Sequence, residues 1–113
     1  MKNTYRACAE INLDALKHNI QEILAVLGDT KLMCVIKTNA YGHGSIVLAR
    51  ELAAMGAYGF AVATVDEGIE LRNNGIIQPI LVLGFVAKEQ YADMITHHIM
   101  PAIFTYSMAK DFD

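Results

Sequence analysis

Four short apolar runs recur along the sequence, and the chain between each pair is long enough for one helix. The runs are KLMCVIK, GFAVA, ILVLG and MPAIFT, which begin at residues 31, 59, 80 and 100. Parallel strands that are buried on both faces have this uninterrupted apolar character. Strands at such intervals, alternating with helices, are typical of βαβ units. The sequence therefore predicts an α/β fold, with a further strand at Ala7–Ile11.

Helical patterns fill the intervals between these runs. The first helix carries leucine and isoleucine on one face up to Leu27, with Asn12 or Asp14 as its cap and Gly28, in the left-handed conformation, at its end. Later helices are expected from Ser45 to about Met55, from a Thr64–Glu67 capping box to Asn73 or Asn74, from Lys88 to His97, and from a cap at Ser107.

Two architectures fit this alternation: a doubly wound open sheet and part of a (β/α)8 TIM barrel. A complete barrel takes about 250 residues, whereas this chain has 113. No linker or low-complexity segment divides the chain, so one domain or less is expected. In a barrel it would supply four or five strands, roughly the first half, and that half-barrel would have open sheet edges and uncovered apolar helix rims.

Composition and charge exclude several classes of function. The chain is 54% hydrophobic and 19% charged with a net charge of −3, so neither disorder, nucleic-acid binding nor membrane-surface binding is expected. Cys8 and Cys34 form no CxxC or zinc pattern, and the N-terminus has no apolar signal sequence, which together predict a cytoplasmic protein with reduced thiols. Asp66, Glu67 and Glu70 are explained by the first turns of a helix, so no metal site is predicted.

The segment VIKTNAYGHG places a lysine at the C-terminal end of the first apolar run. Lys37 could simply extend its amine to solvent. However, Gly42 and Gly44 allow a close approach of the backbone to a ligand, the Tyr41 hydroxyl is nearby, and a helix N-terminus that favours anions begins at Ser45. A lysine beside an anion site suggests Schiff-base chemistry with a phosphorylated aldehyde, for which pyridoxal 5′-phosphate (PLP) is the obvious candidate.

Histidines near this segment and elsewhere are given structural explanations. His43 is expected to hold the loop by a hydrogen bond rather than to act as an acid or base. His97 and His98 lie near a helix C-terminus, where a partial negative charge favours imidazolium, and no partner is visible for either.

VIKTNAYGHG resembles the cofactor-lysine signature of the alanine racemase family. Thr38 stands where alanine is more usual in that signature. AEINLDALKHNI resembles the opening strand and first helix of the family, VDEGIELRNNGI its third helix, and PILVLG the strand after it. The resemblance covers essentially the whole chain.

The resemblance implies that residues 1–113 are the N-terminal part of the PLP-binding barrel, with the rest of the barrel and a C-terminal β-domain lying outside this chain. It implies that Lys37 forms the Schiff base with PLP and acts as the acid–base group on the face of the substrate that serves the D-isomer. Tyr41 would donate its hydroxyl to the cofactor phosphate. Val35 and Leu83 would pack near the pyridine ring, although Leu83 is equally well explained as ordinary barrel core.

The implied function is the interconversion of L-alanine and D-alanine, which supplies D-alanine for peptidoglycan. In the family, a tyrosine from the second subunit of a homodimer provides the opposite acid–base group, so two subunits share an active site. No residue of this chain matches that tyrosine, and the chain alone is therefore expected not to racemise alanine.

Other interpretations remain open from the sequence. A serine racemase, an amino-acid decarboxylase or a non-catalytic PLP carrier with the same type of barrel would share the lysine and much of the loop. A non-catalytic truncated chain that associates through its open edges is the alternative from another class.

Overall fold

A computed structural model describes residues 6–113, and the first five residues, including part of the segment considered above for a signal sequence, lie outside this range. The elements in chain order are α1 (Leu13–Leu27), β1 (Met33–Val35), α2 (Lys37–Tyr41), α3 (Ser45–Ala54), β2 (Gly59–Val62), α4 (Val65–Asn73), β3 (Ile80–Val82), a 3-10 turn (Lys88–Gln90), α5 (Tyr91–Thr96), β4 (Ile99–Pro101) and α6 (Tyr106–Asp111).

All four strands are parallel and lie side by side in their order along the chain, β1-β2-β3-β4. A doubly wound sheet reverses its strand order at a switch point, whereas a barrel does not. Right-handed crossovers in one direction place every connecting helix on the same side of the sheet. The structure is thus the barrel-type alternative, with four parallel strands in sequential order and the connecting helices on one side of them.

The helix side of the sheet forms the hydrophobic core. Phe60 and Ile80 have no exposed surface, and Ile99 in the same row is 5% exposed. Helix α4 packs directly on this row at Gly68, where a Cβ atom would lie 2.9 Å from Cδ1 of Ile99. A glycine therefore allows α4 to approach the strands more closely than any other residue would.

On the other face of the sheet, the side chains have no helix above them. Val35, Ala61, Leu81 and Met100 form one row across the four strands. Val35 is 43% exposed and Met100 is 41% exposed. Our expectation that β1 is buried on both faces is wrong for this chain, because β1 is an edge strand of the sheet and this face of it is open.

The N-terminal ends of β3 and β4 are joined by one arginine. Arg72, in the last turn of α4, donates to the carbonyls of Ile76 and Gln78 before β3, and to those of His97 and His98 before β4, at 2.7–2.9 Å. Burial lowers the pKa of Arg72. The two histidines therefore contribute backbone acceptors to a structural contact.

Several helix ends agree with the sequence. Asn12 caps α1 by accepting from the backbone N–H of Ala15, and Thr64 and Glu67 form the expected capping box at α4. Three ends differ. Gly28 has a positive φ of 58° but a ψ of −122°, which is not left-handed helical. The final helix is capped by Thr105 rather than Ser107, since the Thr105 hydroxyl accepts from the backbone N–H of Met108.

The predicted strand at Ala7–Ile11 does not form. These residues are exposed, and no strand within residues 6–113 pairs with them. A strand needs a neighbour to satisfy its backbone groups, which the apolar pattern alone could not supply. The last strand is also shorter than predicted, Ile99–Pro101 rather than Met100–Thr105. Within the described range, no helix has both the length and the apolar character needed to cross a membrane.

Candidate active site

The chain reverses its helical hand immediately after the candidate lysine. β1 ends at Val35, and Lys37 begins α2 two residues later. Thr38, Asn39 and Ala40 have φ of 53–55° and ψ of 43–51°, and Tyr41 has φ of 56°. These are left-handed helical values, which cost a residue with a Cβ atom roughly 1–2 kcal/mol each. Four such residues in a row are a strained turn, and strain of this kind is concentrated at functional sites.

Local hydrogen bonds close this turn. The N–H of Ala40 donates to the carbonyl of Ile36 at 2.9 Å. Nδ1 of His43 donates to the carbonyl of Ala40 at 2.8 Å. The structural role expected for His43 is therefore confirmed, and the segment is an ordered turn.

Asn39 links the turn to the next helix. Its Oδ1 accepts from the backbone N–H of Ser45 at 2.9 Å, at the first residue of α3. Gly44, at the N-cap position, has no side chain to do this. The anion site that we expected at the start of α3 is thus reduced, since the Ser45 N–H is already bonded to a side chain within the protein.

The turn is also held from a distant part of the chain. The backbone N–H of Thr38 donates to Oε2 of Glu67 at 2.6 Å. The other carboxylate oxygen, Oε1, accepts from the backbone N–H groups of Ala63 and Thr64 at 3.0 and 3.1 Å. Glu67 therefore caps α4 and binds the residue next to Lys37 with a single carboxylate.

Lys37 is half-buried at the C-terminal end of β1. Within residues 6–113, the ion pairs are Lys17 with Glu51 and Lys88 with Asp111, and the Lys37 amine has neither an ion-pair nor a hydrogen-bond partner. Tyr41 is 60% exposed one turn further along. The Lys37 amine forms no ion pair within residues 6–113, so it is available to react with an aldehyde. The accessible Tyr41 hydroxyl can donate a hydrogen bond to an anionic group of the same cofactor.

Val35 and Leu83 lie on the open face of the sheet. Val35 is paired with Ala61 of β2, which is paired in turn with Leu81 of β3. Leu83 lies two residues after Leu81, so strand alternation places the Leu83 side chain on the same face of the sheet as Val35. The N–H of Leu83 continues the strand ladder by donating to the carbonyl of Val62. Leu83 is 38% exposed. Both residues predicted to contact the ring thus border the same accessible apolar surface.

A cavity of about 270 Å³ lies behind the turn, on the helix side of β1. Its lining includes Cys34, Ile36, Ala40 and Leu48 and does not include Lys37. Burial raises the pKa of Cys34, so its thiol is kept protonated beside this cavity. Val35 and Tyr41 also line the cavity, which therefore borders the candidate site as well as the packing of α1 and α3 on β1.

Sequence reasoning missed two residues of this site. Glu67 was recognised as part of a capping box, but its second oxygen bonds a residue 29 positions away, which no local pattern reveals. Asn39 was quoted in the motif without a role. Asparagine tolerates the left-handed conformation better than most residues. Thr38 and Ala40 have no such preference, so Asn39 alone among these three residues indicated a left-handed turn.

Comparison with known proteins identifies the family. Residues 11–113 match the family model of the alanine racemase N-terminal domain. The chain is 41% identical over 103 residues to an alanine racemase of Desulforamulus reducens, a match that covers 90% of this chain and 28% of that protein. The chain therefore spans less than a third of the length of this relative.

Solved structures share the fold. An alanine racemase of Clostridium difficile 630 in complex with cycloserine matches with a TM-score of 0.90 and 40% identity, over 97% of this chain and 30% of that one. A histidine racemase from Leuconostoc mesenteroides matches with a TM-score of 0.80 and 32% identity, over 88% of this chain and 27% of that one. This chain thus belongs to the alanine racemase family and corresponds to an N-terminal portion of its barrel.

Proposed function

We propose that this chain provides the cofactor lysine of a PLP-dependent alanine racemase, and that Lys37 is that lysine. The observation that carries the proposal is the arrangement at the end of β1. Lys37 is half-buried at the C-terminal end of a parallel strand, its amine has no counter-ion among residues 6–113, and a strained and hydrogen-bonded turn follows it. Active sites of barrel enzymes lie at this end of the strands.

The chemistry assigned to Lys37 is condensation followed by proton transfer. Its amine would hold the cofactor covalently through the aldehyde group of PLP. The free Lys37 amine would accept the proton from the α-carbon of the substrate or return one to it. PLP, when bound, supplies an electron-withdrawing ring that stabilises the negative charge left on that carbon.

Inversion at the α-carbon needs a proton delivered to the opposite face, so that one proton leaves and one returns with no net change in atoms. We propose that this second group is a tyrosine of a partner subunit, so that the active site is shared within a homodimer. On this proposal the 113-residue chain binds the cofactor but does not turn over alanine by itself.

The neighbouring residues would hold the cofactor. We assign the exposed hydroxyl of Tyr41 to the cofactor phosphate, because it lies one turn beyond the lysine and makes no hydrogen bond within residues 6–113. Val35 and Leu83 would provide apolar contact to the ring from the open face of the sheet. These contacts orient the ring and exclude water from one side of it.

Racemisation of a different amino acid is the second candidate function. The similarity to a histidine racemase at 32% identity favours it, because this part of the fold is common to enzymes named for different substrates. The lysine chemistry is the same in both cases. Selection of the substrate side chain would then depend mainly on residues other than those described here.

The test is a titration of the chain with PLP, followed by visible absorption. Wild-type chain is expected to develop a saturable band, and Lys37→Ala to lose it. Lys31→Ala is the matched control, since Lys31 precedes the same strand at its other end, where its amine lies 4.5 Å from the centre of the Tyr58 ring. A band that survives in Lys37→Ala, or one that disappears equally in Lys31→Ala, would overturn the proposal.

A further inference from the structure

We propose that Glu67 is the positioning residue of this site, and that its carboxylate holds the backbone beside Lys37 so that the lysine amine is presented correctly. The inference rests on the proposed function of Lys37. Glu67 lies 30 positions after Lys37 in the sequence and does not itself contact the reacting atoms.

The two oxygens of Glu67 perform different tasks. Oε1 accepts from the N–H groups of Ala63 and Thr64, which completes the cap of α4. Oε2 accepts from the N–H of Thr38 at 2.6 Å, and a hydrogen bond to an ionised carboxylate is stronger than one between neutral groups. The carboxylate thus joins the start of α4, where Val65 and Gly68 are buried, to the turn α2, where Ala40 is the buried residue.

The turn needs such a contact from outside. Its four left-handed residues favour other backbone conformations, and its remaining side-chain hydrogen bonds come from within six residues along the chain. Within residues 6–113, the bond from Thr38 to Glu67 is the one side-chain hydrogen bond that reaches Thr38–Tyr41 from another strand–helix unit. It acts on the peptide that directly follows Lys37, so its loss changes the backbone from which the lysine side chain extends.

The substitution Glu67→Gln separates the two tasks. An amide has one accepting oxygen and one donating NH2 group, so it cannot accept on both sides. Glutamine is an accepted partner in a capping box, and two N–H donors await it at the cap. The amide oxygen is therefore expected to stay with Ala63 and Thr64, which leaves the NH2 group facing the N–H of Thr38.

Thr64→Ala is the matched control because it has the opposite effect. The Thr64 hydroxyl accepts from the backbone N–H of Glu67 at 3.2 Å, so its removal weakens the cap of α4 while the carboxylate and its bond to Thr38 remain. Both variants alter the same capping box, and only Glu67→Gln removes the contact with the turn.

The first measurement is amide hydrogen exchange by NMR, which does not require the cofactor. The exchange rate of Thr38 is compared with that of Ile76, whose N–H lies beyond the other end of α4 and donates to the carbonyl of Leu71. In Glu67→Gln this ratio is expected to rise by about tenfold, as for the loss of one hydrogen bond to a charged group. In Thr64→Ala the ratio is expected to stay at its wild-type value.

The second measurement is the rate at which the visible band forms after PLP is added. Glu67→Gln is expected to slow it by about tenfold at unchanged helical circular dichroism, and Thr64→Ala to leave it unchanged. An unchanged Thr38 ratio in Glu67→Gln, or a raised ratio with an unchanged rate of band formation, would overturn the role of Glu67. Absence of any band in wild type would instead overturn the function of Lys37, while the exchange data would still decide whether Glu67 holds the turn.

Discussion

The two ends of helix α4 organise the two ends of the sheet with groups of opposite charge. Glu67, in its first turn, accepts hydrogen bonds from backbone N–H groups at the C-terminal ends of β1 and β2. Arg72, in its last turn, donates to four backbone carbonyls at the N-terminal ends of β3 and β4. One nine-residue helix therefore carries both contacts.

The polarity of the helix explains why the charges are arranged in this order. A helix N-terminus leaves N–H groups without partners and carries a partial positive charge, which favours a carboxylate. A helix C-terminus has the opposite needs, which favour a guanidinium. The two contacts differ in their partners. Arg72 binds the carbonyls of loops that lead into strands, whereas Glu67 binds the turn with left-handed backbone that follows Lys37.

This comparison gives a general lesson about the barrel architecture. The N-terminal end of the strands contributes stability, and the C-terminal end carries the chemistry. If Lys37 has the proposed role, a substitution at Arg72 should mainly lower stability, and a substitution at Glu67 should mainly affect the cofactor site.

The largest effect on stability is expected for Arg72→Met. It retains much of the apolar stem but removes all four donated hydrogen bonds, which should lower the free energy of unfolding by about 3 kcal/mol. Urea unfolding measures this change. Arg72→Lys is the control and should recover only part of the loss, because a single ammonium cannot reach four carbonyls in the geometry of a planar guanidinium. A loss below about 0.5 kcal/mol for Arg72→Met would show that this end does not provide stability.

A smaller and opposite effect is expected for Thr38→Gly. Glycine adopts φ of 55° without strain, and the N–H that binds Glu67 is retained. Relief of the strain exceeds the extra chain entropy of glycine in the unfolded state, so the free energy of unfolding should rise by about 0.5–1 kcal/mol.

Thr30→Gly is the matched control for this substitution, because Thr30 is exposed and is not among the residues with positive φ. It should lower the free energy of unfolding by about 0.4–1 kcal/mol, an effect opposite in sign to that of Thr38→Gly. Equal losses of stability for both variants in urea unfolding would show that the turn is not strained. The difference drawn here between the two ends of α4 would then be wrong for the end that contains Glu67.

The sequence predicted the elements of this fold better than it predicted their contacts. The apolar runs, the capping box at Thr64 and the cap at Asn12 are local signals, and each led to a correct element. The family signature also pointed to Lys37. The strand expected at Ala7–Ile11 failed because pairing depends on a neighbour that a local pattern does not contain.

The hand of the turn after Lys37 could not be predicted for a related reason. Thr38 and Ala40 have no preference for the left-handed region, and the hydrogen bond from Thr38 to Glu67 joins residues that lie 29 positions apart. The sequence likewise predicts no special role for Arg72, because a basic residue is common in the last turn of a helix. Its four carbonyl partners come together only when the loops before β3 and β4 fold around it.

The most direct test of the central claim is to trap the covalent adduct of PLP with borohydride and to map it by peptide mass spectrometry. The chain has six lysines, so five of them report on non-selective modification. Modification is expected at Lys37 at PLP concentrations that leave the other five unmodified. Equal modification of all six, or a preference for Lys31 at the opposite end of β1, would contradict the assignment of the C-terminal end of the sheet as the active site.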